Sequence, residues 1–90
     1  MQIQPTQPVL VWLKRNQVQI KSYMVQMTEE ELCVISTEFM DKEESVAFLS
    51  KFFRGTAHIS LIAYSSYQFT YTLIIETIHY QPGLLVDTQL

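Results

Sequence analysis

From Thr56 to Tyr80 the chain alternates in hydropathy with a period of two. Ala57, Ile59, Leu61 and Ala63 share one phase, and His58, Ser60, Ile62 and Tyr64 the other. Beyond Ser65-Ser66, Phe69, Tyr71, Leu73 and Ile75 oppose Thr70, Thr72, Ile74 and Glu76. This period predicts two strands, 56–65 and 68–79, joined by a tight turn. β-branched and aromatic residues fill the run, and its only acid or fully charged base is Glu76. Ile59, Leu61, Phe69, Leu73 and Ile75 are therefore expected in the core, together with Trp12. The opposite face, with Ile62, Tyr64, Ile74 and Ile78, is too apolar for water and is an expected interface. Its partner would be another protein or a second copy of the chain.

The rest of the chain reads as shorter strands. Residues 1–8, with Pro5 and Pro8, suggest a flexible lead-in to one domain over 9–90. A strand follows over Val9–Lys14, then a turn at Arg15-Asn16-Gln17. In the next strand, Val18–Met27, the apolar phase slips: Val18 and Ile20 face one way, Tyr23, Val25 and Met27 the other. Such a slip predicts a bulge or bend of the kind barrels need at corners. Thr28-Glu29-Glu30-Glu31 breaks the pattern before a short strand at Leu32–Thr37. Residues 41–54 fit two patterns. As a helix, Asp41 is an N-cap, Glu44 completes a capping box and Gly55 ends it. As a strand, Val46, Phe48, Ser50 and Phe52 alternate with Ala47, Leu49, Lys51 and Phe53, and Arg54-Gly55 becomes a hairpin turn. The aromatic content favours the strand. Pro82-Gly83 is a turn, and Leu84-Leu85-Val86 could pair as a last strand. The expected class is all-β, a small six-stranded antiparallel barrel, with α+β and a helix at 41–54 as the alternative.

Ninety residues suit one domain, and 48% hydrophobic residues suffice for a core. The net charge of −3 argues against a nucleic acid polymer as partner. The bases are scattered, Lys14-Arg15 being the only adjacent pair. The acids concentrate between Glu29 and Glu44. One cysteine, Cys33, excludes an internal disulfide, and its apolar neighbours suggest an inert thiol. No apolar run is long enough for a membrane span, and the N-terminal residues lack signal-peptide character. The expected location is the cytoplasm.

Little in the chain suggests chemistry. Its two glycines, Gly55 and Gly83, form no phosphate loop. No Cys or His pair has metal-ligand spacing, so no metal or cofactor is expected. Glu29-Glu30-Glu31 are consecutive acids, not a pair held across a cleft. Tyr64, Tyr67, Phe69 and Tyr71 could stack bases, but the basic groove such binding requires is missing, and structural aromatics are the better reading. The expectation is a protein without enzymatic activity.

The hairpin over Val9–Met27, the junction VQMTEEELCVIS, the long hairpin at 56–79 and the closing Pro82-Gly83-Leu84 together resemble the PilZ domain. This is a small bacterial six-stranded β-barrel, and the likeness covers roughly residues 9 to 86. It also favours a strand within 41–54. PilZ domains that bind cyclic di-GMP use Arg-x-x-x-Arg before the first strand and (Asp/Asn)-x-Ser-x-x-Gly at the junction. Here Gln2 to Pro8 hold no arginine. Gln26, Thr28 and Glu31 stand at the three defining positions of the second motif. Thr28 keeps a hydroxyl, but Glu31 puts bulk and negative charge where glycine would let a phosphate approach. Cyclic di-GMP binding is therefore not expected. Lys14 and Arg15 would be the only adjacent basic contact for such a ligand.

The resemblance implies an atypical, signalling-related protein-interaction module in type IV pilus, motility or secretion machinery. One alternative is a sensor of cyclic di-GMP or another nucleotide with an unusual site. The other is an unrelated α+β adaptor or chaperone-like dimer.

Overall fold

A computed structural model describes residues 2–80 of the chain. Seven strands follow in order: β1 (Gln2–Ile3), β2 (Val9–Arg15), β3 (Val18–Thr28), β4 (Glu31–Ser36), β5 (Ser45–Ser50), β6 (Phe53–Ser65) and β7 (Gln68–Tyr80). The sheet order is β1-β3-β2-β5-β6-β7-β4, and β4 pairs back onto β3. Strands β2 to β7 therefore close into a six-stranded barrel, antiparallel throughout. Closure removes most exposed sheet edges. The short β1 adds to β3 through Gln2↔Thr28 and Ile3↔Met27, so the lead-in begins tied to the barrel.

There is no helix among the described residues, and the helical alternative for 41–54 does not hold. Val46, Phe48 and Ser50 point inward from β5, while Leu49 pairs outward with Trp12. The capping contact survives without a helix: Glu44 Oε2 accepts from the Asp41 amide at 3.4 Å, in a turn that leads into β5. The expected last strand at Leu84–Val86 and the Pro82-Gly83 turn lie outside the described residues.

The barrel interior is the core. Each wall contributes its inward phase, including Val11 and Leu13, Ile20 and Met24, Leu32 and Val34, Val46 and Phe48, Ala57 and Ile59, and Tyr71 and Leu73. Met40, from the β4–β5 loop, is also fully buried. Ser22 interrupts the apolar inward phase of β3. It is accommodated because its hydroxyl donates to the Val11 carbonyl at 2.7 Å.

Three bulges reset which side chains face inward. Val25 is an extra residue on β3 against β4, so Met24 and Met27 both point into the core. A slip in this strand is expected between Ile20 and Tyr23, but the bulge falls at Val25, so Tyr23 and Val25 face outward and only Met27 of the three is in the core. Ser60 is extra on β6 and Glu76 extra on β7. An inserted residue turns every later side chain by one step. Leu61, expected inside, is therefore outside and 60% exposed. Ile62 and Ile78, expected outside, rest against the core. Trp12 also departs from expectation. It alternates with buried Val11 and Leu13 and faces outward, 37% exposed.

The turn at Arg54-Gly55 is not formed, since both residues lie within β6. The β5–β6 connection is Lys51-Phe52, three residues earlier, where Ser50 Oγ accepts from the amides of Phe52 and Phe53. Gly55 serves close approach instead: a Cβ there would collide with the Thr77 carbonyl and lie 2.7 Å from the Phe48 ring. The β6–β7 turn is Ser66-Tyr67, both at positive φ, 52° and 64°. That is the signature of a two-residue type I′ hairpin, made here without glycine.

Candidate functional site

The β6–β7 hairpin extends past its neighbours. The last β4–β7 pair is Ser36↔Phe69, and the last β5–β6 pair is Ser45↔His58. Glu43 and Glu44 add backbone hydrogen bonds to Ile59. Past that point the β6 edge, Leu61–Ser65, has no strand partner among the described residues. The segment carries no charge and no proline, two of the usual guards of an edge. Leu61 and Tyr64 are exposed on it, and Tyr67 at the tip is 87% exposed.

Aromatic contacts brace the base of this projection. Phe69 lies 4.8 Å from Tyr64 and 5.5 Å from Phe39, centroid to centroid, and stacks on Tyr71 at 6.0 Å. The Tyr71 hydroxyl donates to the Glu38 carbonyl and accepts from the Met40 amide, each at 2.7 Å. Arg15 Nη1 bonds Glu44 Oε2 at 3.2 Å. The β4–β5 loop is thus fastened to β2 and β7 beneath the hairpin. Burial raises the Tyr71 phenol above its ordinary pKa, an effect partly offset by the Met40 hydrogen bond.

The expected interface residues do not share one face. Ile62 and Ile78 pack on the core, and Tyr64 leans on Phe69 while staying exposed. Ile74 is half-buried on the outer phase, between His58 and Glu31. The exposed apolar surface of the hairpin is instead built from Leu61, Ala63, Tyr64 and Tyr67.

The motif-like positions are occupied by local structure. Gln26 Oε1 accepts from Gln2 at 2.9 Å and Gln4 at 3.3 Å. Thr28 Oγ1 accepts from the amides of Glu30 and Glu31, at 3.2 and 3.0 Å, and so holds the β3–β4 turn. Glu31 is exposed. Lys14 and Arg15, adjacent in sequence, diverge: Lys14 lies on the outer wall, and Arg15 is engaged by Glu44.

Cys33 is half-buried on β4. Burial raises its thiol pKa, opposed by a hydrogen bond with Thr72 and reinforced by Glu31. A raised pKa leaves little thiolate, which agrees with an inert residue. Among the described residues no group of His, Cys, Asp and Glu could hold a metal ion. No helix among them is long and apolar enough to cross a membrane.

One grouping has no local signal in the sequence. Cross-strand register places Lys21, Trp12, Leu49, Arg54 and His79 in a single row on the barrel's outer wall. Only pairing partners, not spacing, could have revealed it.

No family model, curated protein or solved structure matches the chain. The class its fold defines is a small, closed, antiparallel β-barrel carrying one projecting hairpin.

Proposed function

We propose that the chain is an atypical PilZ-like interaction module, without enzymatic activity and without cyclic di-GMP binding. It meets another protein, or a second copy of itself, through the β6–β7 hairpin. The observation that carries this reading is the uncharged edge Leu61–Ser65, which has no strand partner among the described residues, with Leu61 and Tyr64 exposed beside it. Such an edge offers main-chain hydrogen bonds to an added strand, and its side chains supply apolar contact. The same edge of a second copy is complementary to it about a two-fold axis. The six-stranded barrel agrees with the architecture that the PilZ resemblance implies. A role in pilus, motility or secretion machinery rests on that resemblance alone.

Sedimentation over a rising concentration series tests the self-pairing form. A reversible dimer that Leu61→Asp abolishes is expected. A strict monomer at millimolar concentration would remove the second copy as partner.

A further inference from the structure

The row Lys21, Trp12, Leu49, Arg54 and His79 crosses five strands, β3-β2-β5-β6-β7, on the outer wall. Its side chains point outward because their strand neighbours Ile20, Val11, Phe48 and Phe53 point into the core. The row beside it reads Gln19, Lys14, Ala47, Thr56 and Thr77. Neither row holds an acid. Lys14, Lys21 and Arg54 form no ion pair within the described residues. Lys21 instead lies 5.9 Å from the centroid of the Tyr23 ring. At the centre Trp12 and Leu49 face each other across β2 and β5, 37% and 51% exposed. The other acids of the described residues lie off these rows: Glu29–Glu31 at the β3–β4 junction, Glu38–Glu44 in the β4–β5 loop, and Glu76 on β7, next to Thr77, with its carboxylate 3.2 Å from His58 Nδ1.

We propose that this wall is a second docking surface, for an extended acidic protein segment with an apolar side chain between two carboxylates. Charge complementarity requires the acids, and the Trp12–Leu49 centre requires the apolar group. The spacing agrees. Three strand steps separate Lys21 from Arg54, about 14 Å. In an extended segment, residues i and i+4 share a face about 13 Å apart, with residue i+2 between them. An acid-x-apolar-x-acid pattern therefore sets its carboxylates over Lys21 and Arg54 and its apolar side chain over Trp12 and Leu49. Trp, Tyr and Arg are the residue types that most often dominate binding energy in protein interfaces. A nucleic acid strand is a poorer match. It would carry its charge past the acidic turn or loop at either barrel end, on a chain of net charge −3.

Trp12 is the chain's single tryptophan, so its emission reports this surface directly. The probe is the synthetic peptide Glu-Ser-Leu-Ser-Glu-Ser-Leu-Ser-Glu, titrated into the full chain. Its controls are the same peptide with Gln for Glu, and an oligothymidylate. A saturable change in Trp12 emission is expected with the acidic peptide, weakening as salt rises. Lys21→Glu with Arg54→Glu should lower its affinity roughly tenfold or more, the scale of two modest charge pairs. Lys21→Gln with Arg54→Gln should fall between, and unchanged circular dichroism would confirm that both variants fold. The surface is separate from the hairpin tip, so Leu61→Asp should leave this titration unchanged whatever it does to self-association. No response up to millimolar peptide, or equal affinity for the Gln peptide, overturns the proposal. Tighter binding of oligothymidylate at physiological salt would replace it with a nucleic-acid surface.

Discussion

The Tyr71 hydroxyl and the Met40 amide, 2.7 Å apart, join the interior of β7 to a loop that would otherwise bury its backbone unpaired. Met40 is fully buried, so its N–H has no access to water, and the same hydroxyl donates to the Glu38 carbonyl. Tyr71→Phe keeps the ring and strands both groups. It should cost about 1–3 kcal/mol, the penalty for a buried group left without its partner. Urea denaturation measures it, and a loss within error would show that the loop re-pairs elsewhere.

The same residue sets a pH dependence. Burial raises the folded-state pKa of Tyr71 above that of the unfolded chain, near 10.0. The folded protein thus holds this proton more tightly. Its contribution to stability is complete below the unfolded value and is lost as pH rises through the folded one. The urea midpoint should decline in that alkaline range, with a smaller decline in Tyr71→Phe. Equal declines would place the alkaline sensitivity in other groups.

Leu61 and Ile62 are neighbours with opposite fates. Leu61→Asp places charge in water and should change stability by about half a kilocalorie per mole or less. Ile62→Asp drives a carboxylate toward the core and should cost several times more. Thermal melts of the two variants compare them, and equal losses would mean that the Ser60 bulge is misplaced.

Gly55→Ala should destabilise, although glycine in a strand is usually a weakness. The new methyl meets the Thr77 backbone carbonyl and the Phe48 ring, so β6 or β7 must shift. The cost should be about 1–3 kcal/mol, as for overpacking. A stabilised variant would show that the sheet yields freely there.

Cyclic di-GMP should produce no saturable heat at micromolar concentrations. The Thr28 hydroxyl is committed to the β3–β4 turn, Glu31 is exposed beside it, and Arg15 is held by Glu44 at the other end of β2. Clear saturation in calorimetry would restore the sensor reading, and Lys14→Ala and Arg15→Ala would then test the adjacent bases.

Strand positions are legible in the sequence because inward and outward residues alternate along nearly every strand. What alternation cannot supply is its own interruptions. Ser60 and Glu76 are ordinary strand residues by composition, yet each reverses the phase of the residues after it. Unbroken alternation therefore puts Leu61, Ile62 and Ile78 on the wrong faces, and with them much of the expected interface. Size alone places Trp12 inside, although its own neighbours Val11 and Leu13 already claim the inward phase. Gly55 looks like a turn because glycine serves turns and close contacts equally well. The basic row is invisible for a different reason: Lys21 and Arg54 become near neighbours only once β2 and β5 have paired.

That pairing also governs how the chain can reach its native state. β2, β3 and β4 form one meander of consecutive strands, and β5, β6 and β7 form another. Two seams, β2 with β5 and β4 with β7, join them. Within a meander each pairing closes a short loop, whereas each seam must bring distant segments together before any of its contacts form. Neither meander can cover its apolar face alone. Folding is therefore expected to be cooperative, with seam formation rather than hairpin formation setting its rate.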